Sequence, residues 1–107
     1  MEKSTIASVL KKVVSQLVEA DYVSLYQQDI NKRILPEEMD KAIADYPGTL
    51  TYPPDEAFDT FEDYGAPEDQ ENVVEFTLWY DNEPSDLTLS MTTYQPDRYA
   101  LDDIRVL

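Results

Sequence analysis

The side chains that could do chemistry in this chain are carboxylates. Eight of them, Asp55, Glu56, Asp59, Glu62, Asp63, Glu68, Asp69 and Glu71, are interleaved with Phe58, Phe61 and Tyr64. Carboxylates can work as an acid and base across a glycosidic bond, as oxygen ligands for a hard cation, or as an electrostatic surface for a cationic partner. The first use needs a buried acid with a shifted pKa. In a chain with 23 acids, neighbours such as Asp102 and Asp103, or Glu37 and Glu38, arise without any function. A calcium loop needs ligands at alternate positions around a central glycine, and DEAFDTFEDYG, from Asp55 to Gly65, does not supply that order. The electrostatic use is left.

Histidine and cysteine are both absent. That removes the usual neutral-pH general base, imidazole and thiolate metal ligands, thiol nucleophiles and disulfides. Gly48 and Gly65 are the only glycines, so no glycine-rich loop can cradle phosphate. The expectation is a protein with no enzymatic activity, no cofactor and no bound metal.

The net charge of -15 is unevenly placed. Residues 1–46 hold eight acids and six bases, whereas residues 47–107 hold fifteen and two. Between Lys41 and Arg98 there are fourteen acids and no base. Solubility alone needs a net charge of only about 2 to 8 in a small domain. The surplus repels nucleic acid and anionic lipid and attracts cationic surfaces. The expected partner is a basic protein, with neither direct nucleic-acid binding nor a membrane. The segment from Asp55 to Glu71 is the expected electrostatic contact, with Phe61 and Tyr64 as anchors. Trp79 shares a strand face with Glu75 and Thr77 and is a further contact residue.

These residues need a scaffold, and 107 residues suffice for one domain with one core. Ile6, Val9, Leu10, Val13, Val14, Leu17 and Val18 recur at helical spacing, predicting a helix over about 4–19 capped by Ser4 or Thr5. Tyr22, Leu25, Tyr26 and Ile30 predict a shorter helix capped by Asp21. Pro36, Glu37 and Glu38 open a third, with Met39, Ala42, Ile43 and Tyr46 as its apolar face and Pro47 and Gly48 as its end. Thr49 to Tyr52 reads as a short edge strand stopped by Pro53 and Pro54. One helical turn near Ala57 is expected before an irregular stretch. From Val73 the period becomes two: Val74, Phe76, Leu78 and Tyr80 face one way. Asp81 to Asp86 reads as a turn, Leu87, Leu89 and Met91 as a second strand, and Tyr99, Leu101, Ile104 and Val106 as a third with a bulge at Asp102 and Asp103.

Helices first and an antiparallel meander last give an α+β fold, with helices on one face of the sheet. The layout resembles a short cystatin-like or nuclear-transport-factor-like roll. In such a roll Tyr22, Tyr26, Trp79, Tyr80, Tyr94 and Tyr99 would either line a ligand pocket or simply fill the core. Lys11 and Lys12 interrupt the apolar run that a signal peptide needs, so the expected location is the cytoplasm.

The strings TLTYPPDEAFD at Thr49–Asp59, SDLTLSMT at Ser85–Thr92 and DDIRVL at Asp102–Leu107 resemble small acidic bacterial immunity proteins of contact-dependent growth inhibition. The resemblance implies stoichiometric neutralisation of a basic cognate toxin domain, often a nuclease. It transfers no individual residue. Two alternatives stand beside it: a small-ligand-binding roll with its pocket near Trp79 and Tyr80, and a DNA mimic that inhibits a nucleic-acid enzyme.

Overall fold

The computed structural model describes every residue from Met1 to Leu107. Three helices, α1 (Lys3–Val18), α2 (Tyr22–Gln28) and α3 (Pro36–Asp45), precede all the strands. After them come β1 (Leu50–Thr51), a 3-10 helix (Asp55–Asp59), β2 (Glu62–Asp63), β3 (Glu71–Tyr80), β4 (Glu83–Tyr94) and β5 (Arg98–Val106). The fold is α+β, as its periodicities predict. All strand pairs are antiparallel, in the order β1-β3-β4-β5, and β2 shares with β1 the edge of β3 that β4 leaves open.

The apolar stripe of α1 lies against the even-numbered face of β3. Ile6, Leu10, Val13, Val14 and Leu17 join Val74, Phe76, Leu78, Leu89, Met91 and Leu101 in one core of 22 buried residues. Leu25 and Met39 bring α2 and α3 into the same core. Helix α3 starts where its sequence directs: Pro36 occupies the first turn, and the Leu35 N–H donates to the Glu38 carboxylate at 2.9 Å. Helix α1 starts earlier than expected, with Glu2 rather than Ser4 or Thr5 in the cap position and no side-chain cap bond. Helix α2 stops at Gln28 because Asp29 turns to extended backbone, leaving Ile30 outside the helix.

The turn expected over Asp81–Asp86 is much tighter. Tyr80 pairs with Glu83, so only Asp81 and Asn82 form the loop, both at positive φ, the geometry that a two-residue hairpin requires. Asn and Asp tolerate that conformation better than most residues. Gly48 has φ +102° and lies close enough that an added Cβ would sit 2.5 Å from Asp81 Oδ2. That approach lets the Asp81 carboxylate accept the Thr49 N–H at 3.1 Å, tying β1 to the hairpin. The bulge in β5 is present: Ser90 pairs with Asp103 and Met91 with Leu101, so Asp102 is the extra residue.

Helix α2 and the outer edge of β5 meet at Asp29, whose carboxylate is 1% exposed. Oδ1 accepts the N–H groups of Asn31 and Lys32 at 2.9 and 3.0 Å, and Oδ2 accepts the Leu101 N–H at 2.9 Å. The Tyr99 carbonyl accepts the Ile30 N–H at 3.0 Å, and the Ile104 N–H donates to Asp103 Oδ1 at 2.9 Å. Three of the outward backbone groups of β5, the Tyr99 carbonyl and the Leu101 and Ile104 N–H groups, are thus taken.

Two buried tyrosines close the seam between helices and sheet. Tyr80 donates to the Ile43 carbonyl at 2.7 Å and Tyr99 to the Leu25 carbonyl at 2.8 Å. Burial raises both hydroxyls to about 12, helped at Tyr99 by Asp29 and Asp21 and at Tyr80 by Tyr22 and Tyr46. The unfolded chain ionises its tyrosines near pH 10, so the native state retains these protons longer. The associated stability, up to about 2 kcal/mol for each group, is present below pH 10 and is lost as pH rises towards 12. Urea unfolding across that interval is expected to show a steep loss that is shallower in a Tyr80→Phe, Tyr99→Phe double variant. Equal slopes would count against the assignment.

Candidate functional site

The chain leaves the β3 edge after Thr51 because Pro53 cannot donate a ladder hydrogen bond. It makes the 3-10 helix and returns as β2. Phe58, fully buried, anchors this excursion by stacking on Phe76 at 4.9 Å and meeting Tyr52 at 5.6 Å. The excursion carries its carboxylates outward. Asp55, Glu56, Asp59, Glu62, Asp63, Glu68, Asp69 and Glu71 are all exposed.

Two of the eight organise the backbone. Asp63 Oδ1 accepts the Gly65 N–H and the Asn72 amide, both at 2.9 Å, and Asp69 Oδ2 accepts the Ala66 N–H at 2.8 Å. Asn72 is buried, and its Oδ1 accepts from the Met1 ammonium at 3.1 Å. The same ammonium donates to the carbonyls of Asp69 and Ala66 at 2.7 and 3.1 Å, so the start of α1 holds the 66–72 loop in place. The carboxylates of Asp55, Glu56, Asp59, Glu62, Glu68 and Glu71 have no hydrogen bond or ion pair within the chain. The ion pairs lie elsewhere, at Arg33–Asp102, Lys41–Asp45 and Arg105–Asp103.

The expected aromatic contacts divide. Tyr64 is 64% exposed, with its hydroxyl donating to Glu75 Oε1 at 2.5 Å. That bond, with partial desolvation and the charges of Glu75 and Glu62, raises its pKa. Phe61 is not the exposed anchor its acidic neighbours suggest. It is only 8% exposed, has Lys3 Nζ 5.5 Å from its ring centre, and belongs to the core. Trp79 is half-buried on the sheet face away from the helices.

Phe61 and Trp79 nonetheless meet at one place. A cavity of about 190 Å³ is lined by Ala57, Thr60, Phe61, Phe76, Thr77, Trp79 and Pro84. A second, of about 270 Å³, opens between α1, α2 and the β4–β5 turn, lined by Lys12, Gln28, Asp97, Arg98 and Tyr99. Of the tyrosines considered for a pocket, Tyr80 and Tyr99 are buried with their hydroxyls spent on backbone carbonyls. No group of three or more carboxylates is placed to hold a metal ion. No helix is long and apolar enough to cross a membrane. Reading the residues alone misses the ammonium clamp, Asp29 and the cavity. Pro53 and Pro54 are the signal that could have located the last, since they must break edge pairing.

Residues 14–107 match the model of a family described as Domain of unknown function (DUF7668). The chain belongs to this family. The match covers the end of α1 from Val14, α2, α3 and every strand, so the acidic excursion and its cavity lie within the family's domain. No curated protein and no solved structure matches the chain.

Proposed function

We propose that this protein is a non-enzymatic binder that holds a basic protein against the surface formed by the 3-10 helix, β2 and the 66–71 loop. One observation carries the reading: Asp55, Glu56, Asp59, Glu62, Glu68 and Glu71 are exposed and have no cation within the chain, although Asp63 and Asp69 beside them are engaged. Crowding like charges without compensation opposes folding, and a cationic partner relieves that repulsion. The resemblance to immunity proteins gives the proposal its specific form. The partner is then a basic toxin domain, such as a nuclease whose phosphate-binding cleft these carboxylates enter, neutralised in the cytoplasm of the producing cell.

The test compares two variants with equal charge change in affinity capture from the native cell. One neutralises Asp55, Glu56, Asp59, Glu62 and Glu68 as the corresponding amides; the other neutralises Glu19, Asp21, Glu37, Asp40 and Asp86. A basic protein retained by the wild type and the second variant, and lost from the first, is the expected result. Equal retention by both variants would remove the proposed surface from consideration.

A further inference from the structure

Two bases of this acidic chain have side chains without a partner, and the fold brings both to one place. Of the eight Lys and Arg residues, Arg33, Lys41 and Arg105 are in ion pairs, and Lys3, Lys11 and Lys32 lie over aromatic rings. Lys12 and Arg98 are left, and both line the cavity of about 270 Å³. Gln28 and Asp97 line it too, and neither side chain has a hydrogen bond or ion pair within the chain, although Asp97 shares the cavity with two cations. The remaining wall is Tyr99, which is fastened to α2 and the residues after it: its hydroxyl donates to the Leu25 carbonyl, and its own carbonyl accepts the Ile30 N–H. That double tie fixes the end of α2, where Gln28 stands, against the start of β5, where Arg98 stands. Lys12 comes in from α1 and Asp97 from the β4–β5 turn.

We propose that this cavity binds a free amino acid with an acidic side chain, an α-amino dicarboxylate. The inference is separate from the binding surface proposed above, with which the cavity shares no residue. Like charges held together without compensation are unfavourable, and a chain with 23 acids has ample means to neutralise Lys12 and Arg98. An anion between them relieves that repulsion. The planar Arg98 guanidinium matches a carboxylate in a two-point bond, and the Lys12 ammonium serves a second carboxylate as a point charge. Asp97 selects against a simple anion: it repels phosphate or a plain dicarboxylate, and it accepts from an ammonium on the same ligand. The lining carries two positive charges and one negative, and an amino dicarboxylate carries two negative and one positive, so each ligand charge meets its opposite. Gln28 supplies an amide for the remaining lone pairs. The volume lies just below the ~300 Å³ at which small-molecule pockets begin, which suits a ligand of amino-acid size, and the tied Tyr99 wall is in place before it arrives.

The test is an NMR titration of the full chain at constant ionic strength with L-aspartate and with L-glutamate, following the Gln28 side-chain amide and the Arg98 Nε–H. The expected result is a saturable shift of both signals with Kd about 1 mM or tighter for at least one of the two. Succinate and glutarate, which keep both carboxylates and lack the ammonium, are expected to bind about tenfold more weakly or worse, and so are asparagine and glutamine, which lack the second carboxylate. Lys12→Gln and Arg98→Gln are each expected to weaken binding of the amino acid about tenfold or more. Asp97→Asn is expected to weaken the amino acid and to strengthen succinate or glutarate, because the repelling carboxylate is gone. All three positions are exposed, and an unchanged backbone spectrum shows that the variants have folded. The ligand series needs only the wild-type chain, so it decides the matter even where a variant fails. No saturable shift with either amino acid, equal binding of the ammonium-free diacids, or phosphate bound as tightly as the amino acid would overturn the proposal, the last marking an adventitious ion only.

Discussion

Replacing Asp29 with alanine is expected to destabilise the fold by roughly 3–5 kcal/mol, a large part of a stability on the order of 5–15 kcal/mol. Three backbone N–H groups, of Asn31, Lys32 and Leu101, end on this one carboxylate. Alanine leaves all three without their acceptor, and the Leu101 bond lies in a site that water does not reach. A buried donor without a partner costs about 1–3 kcal/mol, more than the net gain from making the bond. Asp29→Asn is expected to fall between, since it keeps the Oδ1 acceptor but presents an amide N–H to Leu101. Asp97→Ala, at an exposed turn position, is expected to be nearly neutral. Urea unfolding of the three variants tests this. An Asp29→Ala protein within about 1 kcal/mol of wild type would mean that the carboxylate is dispensable.

The second large effect is kinetic. Neutralising Asp55, Glu56, Asp59, Glu62 and Glu68 together is expected to slow association with the basic partner by about tenfold or more at low salt. Long-range attraction sets the encounter rate, and the Debye length falls from about 30 Å at 0.01 M to about 3 Å at 1 M, so the two proteins should converge as salt rises. Dissociation should change less, because it reports on the packed centre of the contact. Asp63 and Asp69 are left unchanged because they hold Gly65, Asn72 and Ala66, and their loss would disturb the loop itself. Stopped-flow mixing over a salt series measures both rates. Equal association rates at low salt would make these carboxylates an ordinary solvated surface.

Much of this architecture is legible in the residues. The heptad-like recurrence from Ile6 to Val18 has one solution as a buried helix face, and the alternation from Val74 to Tyr80 has one as a half-buried strand. The compensated and uncompensated halves of the chain are also visible, because the missing bases are missing in any fold. What stays hidden depends on residues far apart in sequence. Asp29 reads as a polar helix end until Leu101 arrives beside it. Glu62 and Asp63 carry no strand signal, and they pair only because β3 offers its edge at Glu75 and Val74. Phe61 sits among acids yet is buried, since the 3-10 helix folds it back towards α1 and Lys3. Pro84 suggests a long turn, whereas the two-residue loop is decided by Asp81 and Asn82.

The two margins of the sheet differ in a way that governs self-association. Along β5, Asp29, Ile30 and Asp103 occupy the Leu101 N–H, the Tyr99 carbonyl and the Ile104 N–H, so a second copy finds the row of outward donors and acceptors interrupted there. Along β3, β1 and β2 leave a single residue open, too short a run for another strand of the same chain to zip onto. Ribbon growth by strand stacking therefore lacks a starting point at either end, and concentrated solutions of the protein should stay monodisperse.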